Sequence, residues 1–183
     1  MIKNINQRVG VFVDVANLYH TARNLYNSRV NFASILKTAV SKRKLIRAIS
    51  YVVRADIDEE QKFFEALRLS GFEVKSKDLQ IFPGGIKKGD WDVGISVDAI
   101  ILAQKLDVVV LVTGDGDYLP LVEYLRVNTG CRVEVMAFGK SASSKLVSSA
   151  DEFIDLDTNS QPYLLRTGFV KHSNVHFNTM QVK

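Results

Sequence analysis

Short runs of β-branched and aromatic residues recur along the chain, separated by longer stretches whose apolar positions return every three or four residues. Val9 to Val15 (VGVFVDV), Leu45 to Val53 (LIRAISYVV) and Phe72 to Phe82 (FEVKSKDLQIF) each hold a strand, as do Val108 to Val112 (VVVLV) and Arg132 to Phe138 (RVEVMAF). A run as continuously apolar as VVVLV suits a strand covered on both faces. The segments 17–26, 32–41, 58–70, 91–105, 118–129 and 141–150 read as helices, and Phe153 to Leu156 as a last strand. Segment 58–70 carries Phe63, Phe64, Leu67 and Leu69 and stops at Gly71, a residue suited to a helix end. Asp92 is placed to cap the helix that begins near Trp91. Alternating strands and helices call for right-handed crossovers and a mostly parallel sheet. The expected fold is therefore α/β, a three-layer α/β/α sandwich of Rossmann-like type.

The stretch FPGGIKKGDW reads as a loop beside a site rather than a linker between domains. Residues 1–157 are expected to form one domain. Residues 158–183 read as a polar, basic C-terminal tail, either a docking arm or loose.

Composition narrows the class. The 183 residues are 46% hydrophobic and 24% charged, which suits one compact domain with a real core and excludes general disorder, collagen and coiled coil. The single Cys131 excludes an internal disulfide and a thiolate-rich zinc site, and points to a reducing compartment. No apolar run approaches the ~20 residues needed to span a bilayer, and the N-terminus lacks the layout of a signal peptide. The expectation is a soluble, cytoplasmic protein without a membrane partner.

The net charge of +4 is mostly a property of the tail, where Arg166, Lys171 and Lys183 face no acid. Two basic clusters in the body are more informative. Lys37, Lys42, Arg43, Lys44, Arg47 and Arg54 fall in an acid-free stretch, and Lys75, Lys77, Lys87 and Lys88 bracket a second, nearly acid-free one. Local patches of this kind bind phosphate, unless they are merely solvated helix and loop ends.

Candidate chemistry lies in the acids. Ligands of doubly wound folds bind outside the carboxyl ends of the strands. Asp14 stands at the end of the first apolar run, and Asp115 and Asp117 follow the fourth. Asp98 interrupts the apolar helix VGISVDAIILA, and Asp92 begins it. Each has a plainer alternative. Asp92 and Asp117 would serve as helix caps, Asp14 as a turn residue, and Asp98 as an exposed residue or the partner of a lysine. By this reasoning Asp92 is the weakest candidate and Asp98 the most telling. Like charges ~5 Å apart repel by about 3 kcal/mol at an effective dielectric near 20, so a site that gathers them needs a cation or must protonate some. Oxygen-only donors favour Mg²⁺ or Mn²⁺ over Zn²⁺. Asn17, three residues after Asp14, is either an N-cap or a polar group of the same site.

The blocks DVANLY at 14–19, KKGDWDVGISVDAI at 87–100 and VTGDGDYLPLVEYLR at 112–126 resemble, in order, the three signature blocks of NYN domains. The similarity is to the LabA-like branch of the PIN-like nuclease superfamily and runs from about Val9 to Asp157. GDGD alone also resembles the haloacid-dehalogenase phosphatases, but those need an acid two residues after the first aspartate, where this chain has Ala16.

The resemblance implies a Mg²⁺- or Mn²⁺-dependent ribonuclease acting on RNA, single-stranded by preference. It puts Asp14, Asn17, Asp98 and Asp115 at the catalytic site, with Asp117 a further acidic position. Asp92 is given an outer place around the metal or a second ion. Hydrolysis would use a metal-activated water, with one acid as general base. Lys87 and Lys88 would hold a flanking phosphate, and Thr113 would shape the turn that presents Asp115. Trp91 would stack on a base, or else anchor the loop over the helix start. The alternative is a regulatory module that binds RNA or protein without significant catalysis. A homodimer would extend the basic surface.

Overall fold

In the computed structural model, residues 3–54, 58–81 and 87–165 are described. The elements run β1 (Arg8–Asp14), α1 (Val15–Tyr26), β2 (Arg29–Val30), α2 (Phe32–Val40), β3 (Lys44–Arg54), α3 (Asp58–Leu69) and β4 (Glu73–Asp78). The two-residue strands β5 (Gln80–Ile81) and β6 (Lys87–Lys88) follow, then α4 (Asp92–Ala103), β7 (Val108–Val112) and α5 (Leu119–Tyr124). β8 (Arg132–Ala137), α6 (Ser144–Ser149), β9 (Glu152–Asp155) and β10 (Leu164–Leu165) complete the chain. Six strands form one wholly parallel sheet in the order β4-β3-β1-β7-β8-β9. Winding proceeds outward from β1 in one direction, then from β7 in the other. The reversal between β1 and β7 is where doubly wound folds place their ligands.

Alternation along the strands divides the core in two. Val9, Val11 and Val13 of β1 join Val108, Val110 and Val112 of β7 beneath α1, α2 and α3. Phe12, Val109 and Leu111 point the other way, toward α4, α5 and α6. The expected three-layer α/β sandwich is the observed one. Among the described residues no helix is long and apolar enough to cross a membrane.

Three local departures have physical causes. The helix expected over 118–129 is broken into a 3₁₀ turn at Gly116–Tyr118, α5, and a wider π turn at Leu125–Thr129. Pro120 stands in the first turn of α5, and the Asn128 and Thr129 side chains bond the carbonyls of Tyr124 and Leu125 at 3.1 and 2.6 Å, competing with the regular ladder. Within the segment Phe72–Phe82 the expected strand is Glu73–Asp78, and Gln80–Ile81 pairs antiparallel with Lys87–Lys88. Beyond Asp157, β10 pairs with β2 and the Asn31 N–H donates to the Tyr163 carbonyl at 2.8 Å. Residues 166–183, and 82–86 of the glycine-rich loop, lie outside the described residues.

The acid-free basic stretch does not stay unpaired. Arg43 is buried and gives both terminal nitrogens to Glu134, at 2.7 and 2.8 Å. Arg47 is held by Glu73, and Arg54 by Asp78 at 2.9 Å.

Candidate functional site

β1 and β7 run side by side, Val13 opposite Val112, so the segments leaving them emerge together. Asp14 is the last residue of β1 and the N-cap of α1, its Oδ1 accepting the Asn17 N–H at 3.1 Å. The helix thus starts two residues earlier than expected, and Asp14, not Asn17, caps it. Asn17 is freed for another contact. Its amide oxygen accepts the Gly114 N–H at 3.0 Å and ties α1 to the loop after β7. Thr113 is buried in that loop. Its hydroxyl accepts the Asp115 N–H at 3.2 Å and reaches Asp14 Oδ2 at 3.5 Å. Asp115 Oδ1 accepts the Asp117 N–H at 3.0 Å and so opens the turn Gly116–Tyr118. Asp115 performs the capping that the sequence assigned to Asp117.

Asp92 is also displaced from its expected role. The N-cap of α4 is Trp91, without a side-chain cap bond, and Asp92 is the first helical residue. Its Oδ1 accepts the Tyr118 hydroxyl at 2.9 Å. One carboxylate oxygen each from Asp92, Asp115 and Asp117 lies within 4.8 Å of the others. Sequence reasoning missed Tyr118, although a phenol at an apolar core position requires a partner for its O–H. The signal was its place directly after the acid pair in GDGDY.

The electrostatics record this crowding. Burial pushes Asp14 up to about 6, and the charges of Asp92 and Asp115 add to it against the opposing hydrogen bonds from Asn17 and Thr113. Asp92 is raised by burial and by Asp90, Asp115 and Asp117, with the Tyr118 bond opposing. Burial and the surrounding carboxylates raise the Tyr118 hydroxyl above its ordinary range. Among the described residues, Asp14, Asp92, Asp115 and Asp117 form no ion pair with a lysine or arginine, whereas Asp98, Asp107, Glu134, Asp151 and Glu152 do.

Asp98 is one of those paired acids. It lies further along α4, where its Oδ2 accepts both the Tyr51 hydroxyl and the Lys75 ammonium at 2.6 Å. It does not join the group formed by Asp92, Asp115 and Asp117. It lies six positions after Asp92, a rise of about 9 Å. The half-buried Trp91 donates its indole N–H to the Val52 carbonyl at 2.9 Å, meets Tyr51 edge-on, and carries the Lys77 ammonium 4.9 Å from its ring. Its ring also lies over Gly94, where a Cβ would come within 2.5 Å of it. These are the contacts of an anchor at the start of α4. The backbones of Lys87 and Lys88 form β6, while their side chains lie outside the described residues.

The donor set fits a hard divalent cation. It is all oxygen, has three convergent carboxylates and lacks a compensating side-chain cation among the described residues. Asp14 stands beside it, close enough for Asp92 and Asp115 to raise its carboxyl.

The NYN domain family model matches residues 8–157. The low amplitude and bright protein LabA of Synechococcus elongatus is 24% identical over 165 residues, which cover 82% of this chain and 84% of that one. A crystal structure of a protein of unknown function from Vibrio parahaemolyticus superposes with a TM-score of 0.81 at 33% identity. The match covers 90% of this chain and 100% of that one.

Proposed function

The chain belongs to the NYN domain family, within the PIN-like nuclease superfamily, and on that premise we propose that it is a Mg²⁺- or Mn²⁺-dependent ribonuclease that hydrolyses phosphodiester bonds of single-stranded RNA. The observation that carries the reading is the convergence of Asp92, Asp115 and Asp117 within 4.8 Å at the topological reversal, beside the raised carboxyl of Asp14. Asp14, Asp92, Asp115 and Asp117 would hold the ion. A divalent cation bound there supplies positive charge that acidifies water and offsets the charge developing on the phosphodiester.

The chain's own groups orient this set. Tyr118 fixes the rotamer of Asp92, Thr113 links Asp14 to the Asp115 backbone, and Asn17 secures the Gly114 turn. Asp14, whose carboxyl is pushed up to about 6 by burial, is the group suited to accept a proton from the attacking water. Lys87 and Lys88, on the loop side of α4, are assigned to a flanking phosphate.

A second reading is a regulatory module that binds RNA or protein without significant catalysis. The observation favouring it is Asp98, which the family resemblance counts among the acids but which Lys75 and Tyr51 hold away from them.

Cleavage of labelled single-stranded RNA with Mn²⁺ or Mg²⁺, against an EDTA control, separates the two. Asp92→Asn and Asp115→Asn are expected to lower the rate by at least about 100-fold while remaining folded. Metal-dependent RNA binding without cleavage would select the regulatory module. An Asp98→Asn arm decides that residue separately, since loss of cleavage would return it to the site.

A further inference from the structure

The helix that carries Asp92 is apolar on both sides. Ile95, Ala99 and Ala103 are buried in the second core, yet Val93, Val97 and Ile101 on the outer side are 74%, 49% and 61% exposed. Spaced at i, i+4 and i+8, these three form one continuous stripe. Val127, 82% exposed, adds apolar surface on the 125–129 turn that packs against α4, and Tyr124 precedes that turn. Single exposed apolar residues need no explanation, but a patch of a few hundred Å² marks an interaction surface. A helix apolar all round is one whose second face has a partner.

The charges at its ends identify the partner. Asp90 precedes the stripe and Lys105 follows it, both exposed and neither in an ion pair among the described residues. Read outward from Val97, the pattern is apolar then acidic toward one end, and apolar then basic toward the other. A surface that meets itself across a twofold axis must be self-complementary in this sense. Two copies of α4 laid antiparallel with Val97 at the axis place Val93 against Ile101 and Asp90 against Lys105. The two helix dipoles then also oppose head to tail.

We propose that the outer face of α4 is the interface of a homodimer, in which antiparallel α4 helices bury the Val93, Val97 and Ile101 stripe and exchange two Asp90–Lys105 pairs. The β-branched side chains allow close approach, at the usual interaxial distance of about 8–10 Å. Three apolar residues a side are few beside the roughly 20–30 of a standard interface, so the association is reversible and concentration-dependent. Each dimer contact sets Lys105 of one copy beside Asp90 of the other, two residues from Asp92.

Sedimentation velocity of the full chain in EDTA, over a concentration series, tests this. A monomer–dimer equilibrium is expected. Val97→Glu puts two like charges on the axis and should raise the dissociation constant by about 100-fold or more, with an unchanged thermal melt at concentrations where the wild type is monomeric. Lys105→Asp should weaken dimerisation by about two- to fivefold. Adding Asp90→Lys to it should restore the wild-type value, a result that does not depend on the apolar substitution. A monomer at every concentration, a dimer indifferent to Val97→Glu, or a charge swap that fails to restore association would each overturn the proposal.

Discussion

Acids at the amino-terminal edge of the sheet and acids beyond β1 and β7 meet different fates. Along the amino-terminal edge, Glu134 is fully buried yet takes both nitrogens of Arg43. Arg132 bridges Glu134 to Glu152, Lys3 adds a second cation to Glu152, and Arg8 closes on Asp107 at 2.8 Å. Burial works against the Glu152 charge, but Arg132 and Lys3 outweigh it and hold that carboxyl below its ordinary range. Beyond β1 and β7 at the opposite edge, Asp14 and Asp92 are both pushed upward. The same residue type serves stability where a cation faces it and is held at a cost where none does. Perturbed, uncompensated groups in a cleft point to function, and paired ones to structure.

The largest expected effect is at the compensated edge. Glu134→Ala strands the buried Arg43 guanidinium and should cost about 3–5 kcal/mol of stability in a denaturant titration. At the other edge the sign reverses. Asp14 is protonated in both folded and unfolded chains below pH 3.8, and its ionisation opposes folding as the pH rises from there through about 6. Asp14→Asn, which keeps a helix cap, should therefore stabilise the metal-free protein by about 2–3 kcal/mol at pH 7. That gain should vanish below about pH 4, as thermal melts in EDTA across pH would reveal.

A smaller effect is expected where the acidic group is held in place. Tyr118→Phe removes the bond to Asp92 and should weaken Mn²⁺ binding by about 10-fold, read by calorimetric titration against an unchanged fold. Smallest of all is Lys75→Ala. It removes a half-exposed partner of Asp98 and should cost no more than about 1 kcal/mol in the same denaturant titration. If metal affinity rose instead, Asp98 would belong with the uncompensated acids and the contrast between the edges would need redrawing.

Much of the fold was legible because a sheet covered on both faces demands apolar runs, and β7 is five consecutive buried residues. Asp14, Asp115 and Asp117 were legible for the same reason, since each follows such a run. The ranking of Asp92 below Asp98 is where geometry and sequence differ, since Asp92 lies with Asp115 and Asp117 and Asp98 does not. Asp92 was discounted for a cap that Trp91 occupies, and Asp98 was favoured because its partner Lys75 lies 23 residues away on a neighbouring strand. The basic stretch from Lys37 differs similarly, because Glu134 stands 91 residues from Arg43. Tyr118 and the early start of α1 depend on individual hydrogen bonds that periodicity does not encode.

The sequence by itself determined the alternation of strands and helices, the parallel three-layer architecture, the family, and the acids set at strand ends. These follow from hydrophobic burial and local backbone preference, which act on neighbours in the chain. Only the tertiary structure decided the strand order that reverses between β1 and β7, which acids remain without a cation, and which helix face is left uncovered. Charge pairing and hydrogen bonding act over a few ångströms of space, and the residues they join are separated by tens of positions in the chain.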